Sequence, residues 1–204
     1  MNELRAVPEL HRETVGKHLV MFTRLIEDDP TLALAHAQAA AAISSRLALT
    51  REAVGEAAYA SGEFDLALRE FKTAARVSGS PAYLPLIADC ERGLGRPERA
   101  LALAGHADVA RLDKEGQVEM RIVASGARSD LGELDAALLT LKCKELTTAS
   151  TAQWAARLKY AYADCLEALG RQAEAREWFL QVIAIDEDEL TDARERLEEL
   201  DAGR

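Results

Sequence analysis

A chain of 204 residues that is 49% hydrophobic but only 5% aromatic packs with small and aliphatic side chains, a composition suited to closely apposed helices. Its formal net charge of −10 repels a phosphate backbone and an anionic membrane surface, which argues against nucleic-acid and lipid partners. Three cysteines, Cys90, Cys143 and Cys165, form no CxxC pair and read as reduced thiols, and no apolar run reaches the roughly 18 residues of a membrane span.

In chain order, the pattern predicts a first helix over about 9–26, closed by Glu27-Asp28-Asp29, and a second that opens at Pro30 and runs to about Leu47. Proline suits the first helical position, where its missing N–H has no helical partner to lose. Thr50 is expected to cap a third helix, with Glu52 inside its first turn. Ser80-Pro81 and Arg96-Pro97 repeat the cap-and-proline opening further on, while 105–113 and 145–151 are expected to be irregular. Past Asp186, an acidic strip carries Leu190, Ala193, Leu197 and Leu200 at helical spacing, which predicts a capping helix over 187–200. A sharper reading of the same strip is an acidic segment that recruits a basic partner. The opening Met1-Asn-Glu-Leu-Arg lacks the charged-then-apolar design of a secretory leader, so cytoplasm is the expected compartment.

Five positions, Asp28, Gly62, Gly95, Gly132 and Gly170, each stand five residues before an alanine, at spacings of 34, 33, 37 and 38 residues. A period of that size marks a helical repeat whose units bury their apolar faces only by stacking on neighbours. The fullest cassette, Arg51 to Ala74, places Gly55, Gly62, Phe64, Ala67, Phe71 and Ala74 in order. Gly55 and Ala67 are small where two helices must approach closely, Gly62 suits a left-handed helix end, and Phe64 and Phe71 are expected to fill the gap to the next pair. This pattern resembles the tetratricopeptide repeat, or TPR.

The other cassettes depart from it. The unit around Gly95 keeps Ala88 and Ala100 but loses both aromatics; the next has Ser125, Leu134 and Leu141, then Lys144 where alanine is usual; the last has Ala163 and Phe179 with Gln172 in place of an aromatic. The segment around Asp28 has no turn glycine and carries Met21 where a small residue is expected. The resemblance implies an all-α, right-handed TPR-like helical solenoid of antiparallel helix pairs with a C-terminal capping helix. It implies a single domain over 1–204, with repeats at about 8–47, 48–79, 80–112, 113–147 and 150–185. The stretches 51–55, 88–101 and 160–164 also resemble a family of small actinobacterial TPR proteins of unassigned role.

In TPR proteins the inner surface is formed mainly by the first helix of each pair. By that resemblance the partner-binding groove would carry His18, Phe22, Glu52, Glu56, Tyr59, Asp89, Arg92, Arg157, Tyr160, Asp164 and Glu167, with Glu119 and Ile122 between. Carboxylates outnumber cations in that set, and the lysine and asparagine clamp with which many TPR domains hold a terminal carboxylate is not seen. A basic or amphipathic protein segment is therefore the expected partner, with Tyr59 and Tyr160 supplying flat apolar contact. The competing reading is a self-associating regulatory module without an external peptide, its incomplete first repeat and Ala-rich second helix forming a homodimer face.

Catalytic chemistry has little to stand on. His11 and His18 are seven residues apart, His36 and His106 stand alone, and no HExxH or Cys/His ligand set occurs. Gly93-Leu-Gly95 lacks the preceding strand and third glycine of a dinucleotide loop, and no Gly-x-Ser-x-Gly elbow is present. Same-face carboxylates such as Glu52 with Glu56, or Asp164 with Glu167, occur on helices whose charges ordinarily stay solvated. The sequence predicts no enzyme, no cofactor and no metal, with Trp154 and Trp178 as packing residues.

Overall fold

The computed structural model of the chain describes residues 7–202. Among them the backbone forms eleven α-helices and no strand. They are α1 (Glu9–Leu25), α2 (Pro30–Ile43), α3 (Ala48–Ala60), α4 (Phe64–Ser78), α5 (Leu84–Gly93), α6 (Pro97–Ala104), α7 (Lys114–Asp130), α8 (Leu134–Leu141), α9 (Gln153–Ala168), α10 (Gln172–Ile183) and α11 (Ala193–Ala202). The chain divides into two compact units, one up to Arg96 and one from Pro97 onward. No helix among the described residues is long and apolar enough to cross a membrane.

In the first unit each helix packs on the next, α1 on α2 through α4 on α5. Alanine at Ala33, Ala37, Ala57, Ala67 and Ala74 is fully buried, which lets helix backbones approach without a wedge between them. Gly55 lies against the ring of Phe71: a Cβ there would stand 2.7 Å from the ring. Phe71 thus fills its own helix pair, whereas Phe64 crosses to α5 and covers Gly93 at a similar 2.7 Å. In the second unit α7 packs on α6, α8 and α9, α9 on α10, and α10 on α11. Its core joins Leu141, Leu158, Leu166, Phe179 and Val182, with Trp154 buried and Trp178 packed against its edge. Ser125, at the small position of its cassette, is buried and donates its hydroxyl to the Ala137 carbonyl at 3.0 Å.

Gly62, Gly95, Gly132 and Gly170 all adopt positive φ, between 68° and 77°. At Gly62 the Glu63 N–H reaches back to the Ala58 carbonyl at 2.8 Å, closing α3 in the left-handed manner that costs an L residue about 1 kcal/mol. No atom stands within 4 Å of a Cβ added there, so the penalty of Gly62→Val is backbone alone, about 1 kcal/mol or more. Urea unfolding should show that loss; an unchanged midpoint would contradict the turn.

Several boundaries differ from the sequence expectation. The second helix ends at Ile43, and α3 begins at Ala48, so Thr50 lies inside it rather than capping it. Fully buried, the Thr50 hydroxyl donates to the Ser44 and Leu47 carbonyls and ties the intervening turn to α3. The segments 105–113 and 145–151 contain short 3-10 turns at Ala107–Arg111 and Lys144–Thr147. Lys144 therefore lies beyond α8, and the two cassettes with the weakest second halves own the two eight-residue helices, α6 and α8. The capping helix starts at Ala193 instead of 187. The Asp186 carboxylate stops an earlier start by accepting from the Leu190 and Thr191 N–H groups and the Thr191 hydroxyl, and Leu190 is left exposed.

Candidate functional site

The residues assigned to the inner surface lie on α1, α3, α5, α7 and α9, the first helix of each pair. In the first unit, His18 of α1 and His36 of α2 face each other with their Nδ1 atoms 2.9 Å apart, so one imidazole donates to the other. Phe22, one turn on, is buried. On α3, Glu52, Glu56 and Tyr59 rise along one helix face at the i, i+4, i+7 spacing. Tyr83 donates its hydroxyl to Glu52 at 3.1 Å, and the Tyr59 hydroxyl donates to Asp89, whose other oxygen accepts from Arg92 at 2.8 Å. Burial, then the Asp89 charge, pushes the Tyr59 phenol above its ordinary range, so it is a permanent donor.

Glu56 differs from its neighbours. Among the described residues its carboxyl has no hydrogen bond and no ion pair, and burial followed by the nearby Glu52 charge raises its pKa from 4.5 to about 7. Cys90 lies beside this ladder, buried, its thiol pushed up to about 12 by burial and by the Asp89 and Glu91 charges. A thiol so held stays protonated and is no nucleophile.

In the second unit, Arg157 of α9 pairs with Glu119 of α7 at 2.8 Å, while Ile122 packs on the core edge. Tyr160, Asp164 and Glu167 climb α9 at spacings of four and three and converge on Arg196 of α11. The guanidinium donates to the Tyr160 hydroxyl at 3.1 Å, to Asp164 at 3.0 Å and to Glu167 at 2.8 Å, and stands 5.5 Å from the centre of the Phe179 ring. Burial disfavours its charge, yet the Asp164 and Glu167 hydrogen bonds and the Tyr160 oxygen outweigh that and hold its pKa above the ordinary range. Sequence reasoning placed the three α9 residues together but missed Arg196. The signal was available: Arg196 lies three residues after Ala193 and four before Leu200, on the helix face those two bury.

The carboxylates assigned to the inner surface are therefore largely satisfied from within. Tyr59–Asp89 joins α3 to α5, Tyr83 in the turn before α5 reaches Glu52 of α3, Arg157–Glu119 joins α9 to α7, and Arg196 with its two carboxylates joins α11 to α9. Among the described residues no group of three or more His, Cys, Asp or Glu side chains could hold a metal ion.

No family model and no curated protein matches the chain. Among solved structures it is similar to the thermophilic TPR protein TTC0263 of Thermus thermophilus, with TM-score 0.69 and 19% identity over 91% of this chain and 98% of that one. It is also similar to a variant of the nearly identical TPR-like repeats of a Podosopora anserina kinesin light chain, with TM-score 0.62 and 16% identity over 86% of this chain and 95% of that one. At such identities the likeness is one of fold. Helices that pack on their neighbours within each unit among the described residues, left-handed turns at the four glycine anchors and these two neighbours together establish that the chain has the tetratricopeptide-repeat fold.

Proposed function

We propose that the chain is a non-catalytic protein- or peptide-binding module, and that the first-helix faces receive a basic or amphipathic segment. The observation that supports this reading is Glu56: a half-buried carboxyl without a partner, beside Glu52 and one turn from Tyr59. An incoming Lys or Arg would neutralise it, and the Tyr59 ring would offer flat apolar contact. Replacing Glu52 or Asp89 would also break the Tyr83, Tyr59 and Arg92 contacts, so Glu56 alone is the clean site to change.

On an array of synthetic amphipathic peptides, basic members should be retained and acidic ones not. Glu56→Gln should weaken that retention by about tenfold, the equivalent of about 1.4 kcal/mol. Because the receiving carboxyl titrates near pH 7, retention should strengthen between pH 6 and pH 8 in the native chain and stay flat in the variant. Equal retention of acidic peptides, or an indifferent Glu56→Gln, would discard the assignment.

A second reading, self-association through the first helix pair, draws on Leu10, Val20 and Leu32, which are exposed on α1 and α2. Light scattering across a concentration series separates the two, since a constant monomer mass would remove the dimer.

A further inference from the structure

Arg196 is held as a bound ligand would be held. Three oxygens from one face of α9 and one aromatic face surround its guanidinium, and none of them belongs to its own helix. Charge-assisted bonds of this kind carry directional recognition, and the planar fork of arginine suits a pair of carboxylates better than lysine does.

The helix that delivers Arg196 is otherwise lightly attached. Of the ten residues in α11 only Ala193 and Leu200 are buried, with Leu197 packed at the core edge. The other polar contacts of α11 lie at its ends: Arg176 of α10 pairs with Asp201 at 2.7 Å at the solvent-exposed end, Arg194 pairs with Glu189 of the connection at 3.2 Å, and the Tyr160 hydroxyl donates to Asp192 just before the helix. The face that α11 turns toward the core carries only Ala193, Leu197 and Leu200 as apolar residues, so its departure would uncover little apolar surface of its own. The connection back to α10 holds Glu189 at a φ of 51°, a left-handed conformation that is unfavourable for a side chain bearing a Cβ and is relieved when the turn opens. A cleft lined by Ile183, Asp186, Thr191 and Ala193 lies at the root of the same helix.

We propose that α11 is a detachable intramolecular ligand of the α9 face that carries Tyr160, Asp164 and Glu167. The partner this face fits is an amphipathic helix with an arginine, leucines one and four residues after it, and a carboxylate five residues after it, taking the places of Arg196, Leu197, Leu200 and Asp201. This inference rests on the reading that first-helix faces receive the partner, and it adds a gate: the last such face opens only when α11 is displaced. Closed, Arg196 neutralises two carboxylates that would otherwise attract any basic segment; open, the face selects for an arginine-bearing helix over scattered positive charge.

The test uses a labelled synthetic peptide of residues 190–202 as probe, read by fluorescence anisotropy against the full-length chain. The native chain should bind it weakly, because its own α11 competes at high effective concentration. A full-length Arg196→Ala, Leu200→Ala double variant should bind it at least ~10-fold more tightly. A probe with alanine at the position of Arg196 should lose that gain, as should the opened chain when Asp164→Asn and Glu167→Gln are added. Equal binding to the native and opened chains, absence of binding to both, or indifference to the probe's arginine would each overturn the proposal. Should the double variant fold poorly, hydrogen exchange on the native chain decides: amides of α11 must exchange at least ~100-fold faster than those of Leu158–Leu166 in α9, and equal protection would refute detachment. The Glu56 assignment is read on the peptide array and this proposal on the arginine dependence of the probe, so the two can fail separately.

Discussion

Phe71→Ala should cost the protein about 3–5 kcal/mol, a large share of the 5–15 kcal/mol that holds an ordinary domain together. The ring is fully buried and faces Gly55 of the preceding helix, where the absence of a side chain leaves room for it. The same contact makes a sign-reversing prediction. Alanine is a better helix former than glycine by about 0.5–1 kcal/mol, so Gly55→Ala in a free helix would stabilise. Here its Cβ would meet a ring that has nowhere to go, and overpacking of about 1–3 kcal/mol outweighs the gain. Once Phe71 has become alanine, Gly55→Ala should turn neutral or stabilising, because the new methyl enters the cavity. Urea unfolding of the two single variants and the double variant measures this coupling, and additive losses would contradict the packing. Gly93→Ala provides the comparison. A Cβ there would stand 2.7 Å from Cγ of Phe64, the root of a ring that also packs on Tyr59, so that change should cost stability as well although Phe64 is only half-buried.

Glu56→Gln should stabilise the protein above pH 7 and do nothing near pH 4. The folded chain raises this carboxyl from 4.5 to about 7, chiefly by burial and then by Glu52. Between those values the folded state binds more protons than the unfolded one, so stability falls as pH rises and the full cost is present above about 7. Each pKa unit corresponds to about 1.4 kcal/mol, and solvent access at the site reduces the total to about 1–2 kcal/mol. Glutamine has the shape of the protonated acid without its ionisation. Melting at pH 8 should therefore rise by about 2–8 °C in the variant, with coincident curves at pH 4. An equal shift at both pH values would mean that packing, not charge, sets the effect. The destabilised carboxylate is also what a bound cation would relieve, so stability and recognition are linked at one atom pair.

Local steric rules made the turns and small positions of this chain legible before any folding. A glycine that ends a helix needs only its own backbone to explain it, and Gly62, Gly95, Gly132 and Gly170 all took positive φ. Gly55, Ala67, Ala88 and Ala163 were likewise readable as close-approach sites, since helix pairs at this period leave no space for longer side chains there. Asp29 and Pro30 opened α2 as their chemistry demands, the carboxylate accepting the Leu32 N–H at 3.0 Å.

What the sequence determined by itself was therefore the repeat, its helical class, its turn glycines and the helix faces on which the polar residues stand. Those features follow from interactions within about one helical turn or from a period that repeats along the chain. Only the tertiary structure decided which polar groups meet. Tyr59 finds Asp89 thirty residues away, Thr50 spends its hydroxyl on Ser44 instead of capping, and Arg196 crosses 29 to 36 residues to claim Glu167, Asp164 and Tyr160. Helix spacing places such residues on a face but does not set the rotation and offset of the neighbouring helix. A difference of a few ångströms in that offset separates an open carboxylate such as Glu56 from one already filled by the chain's own arginine.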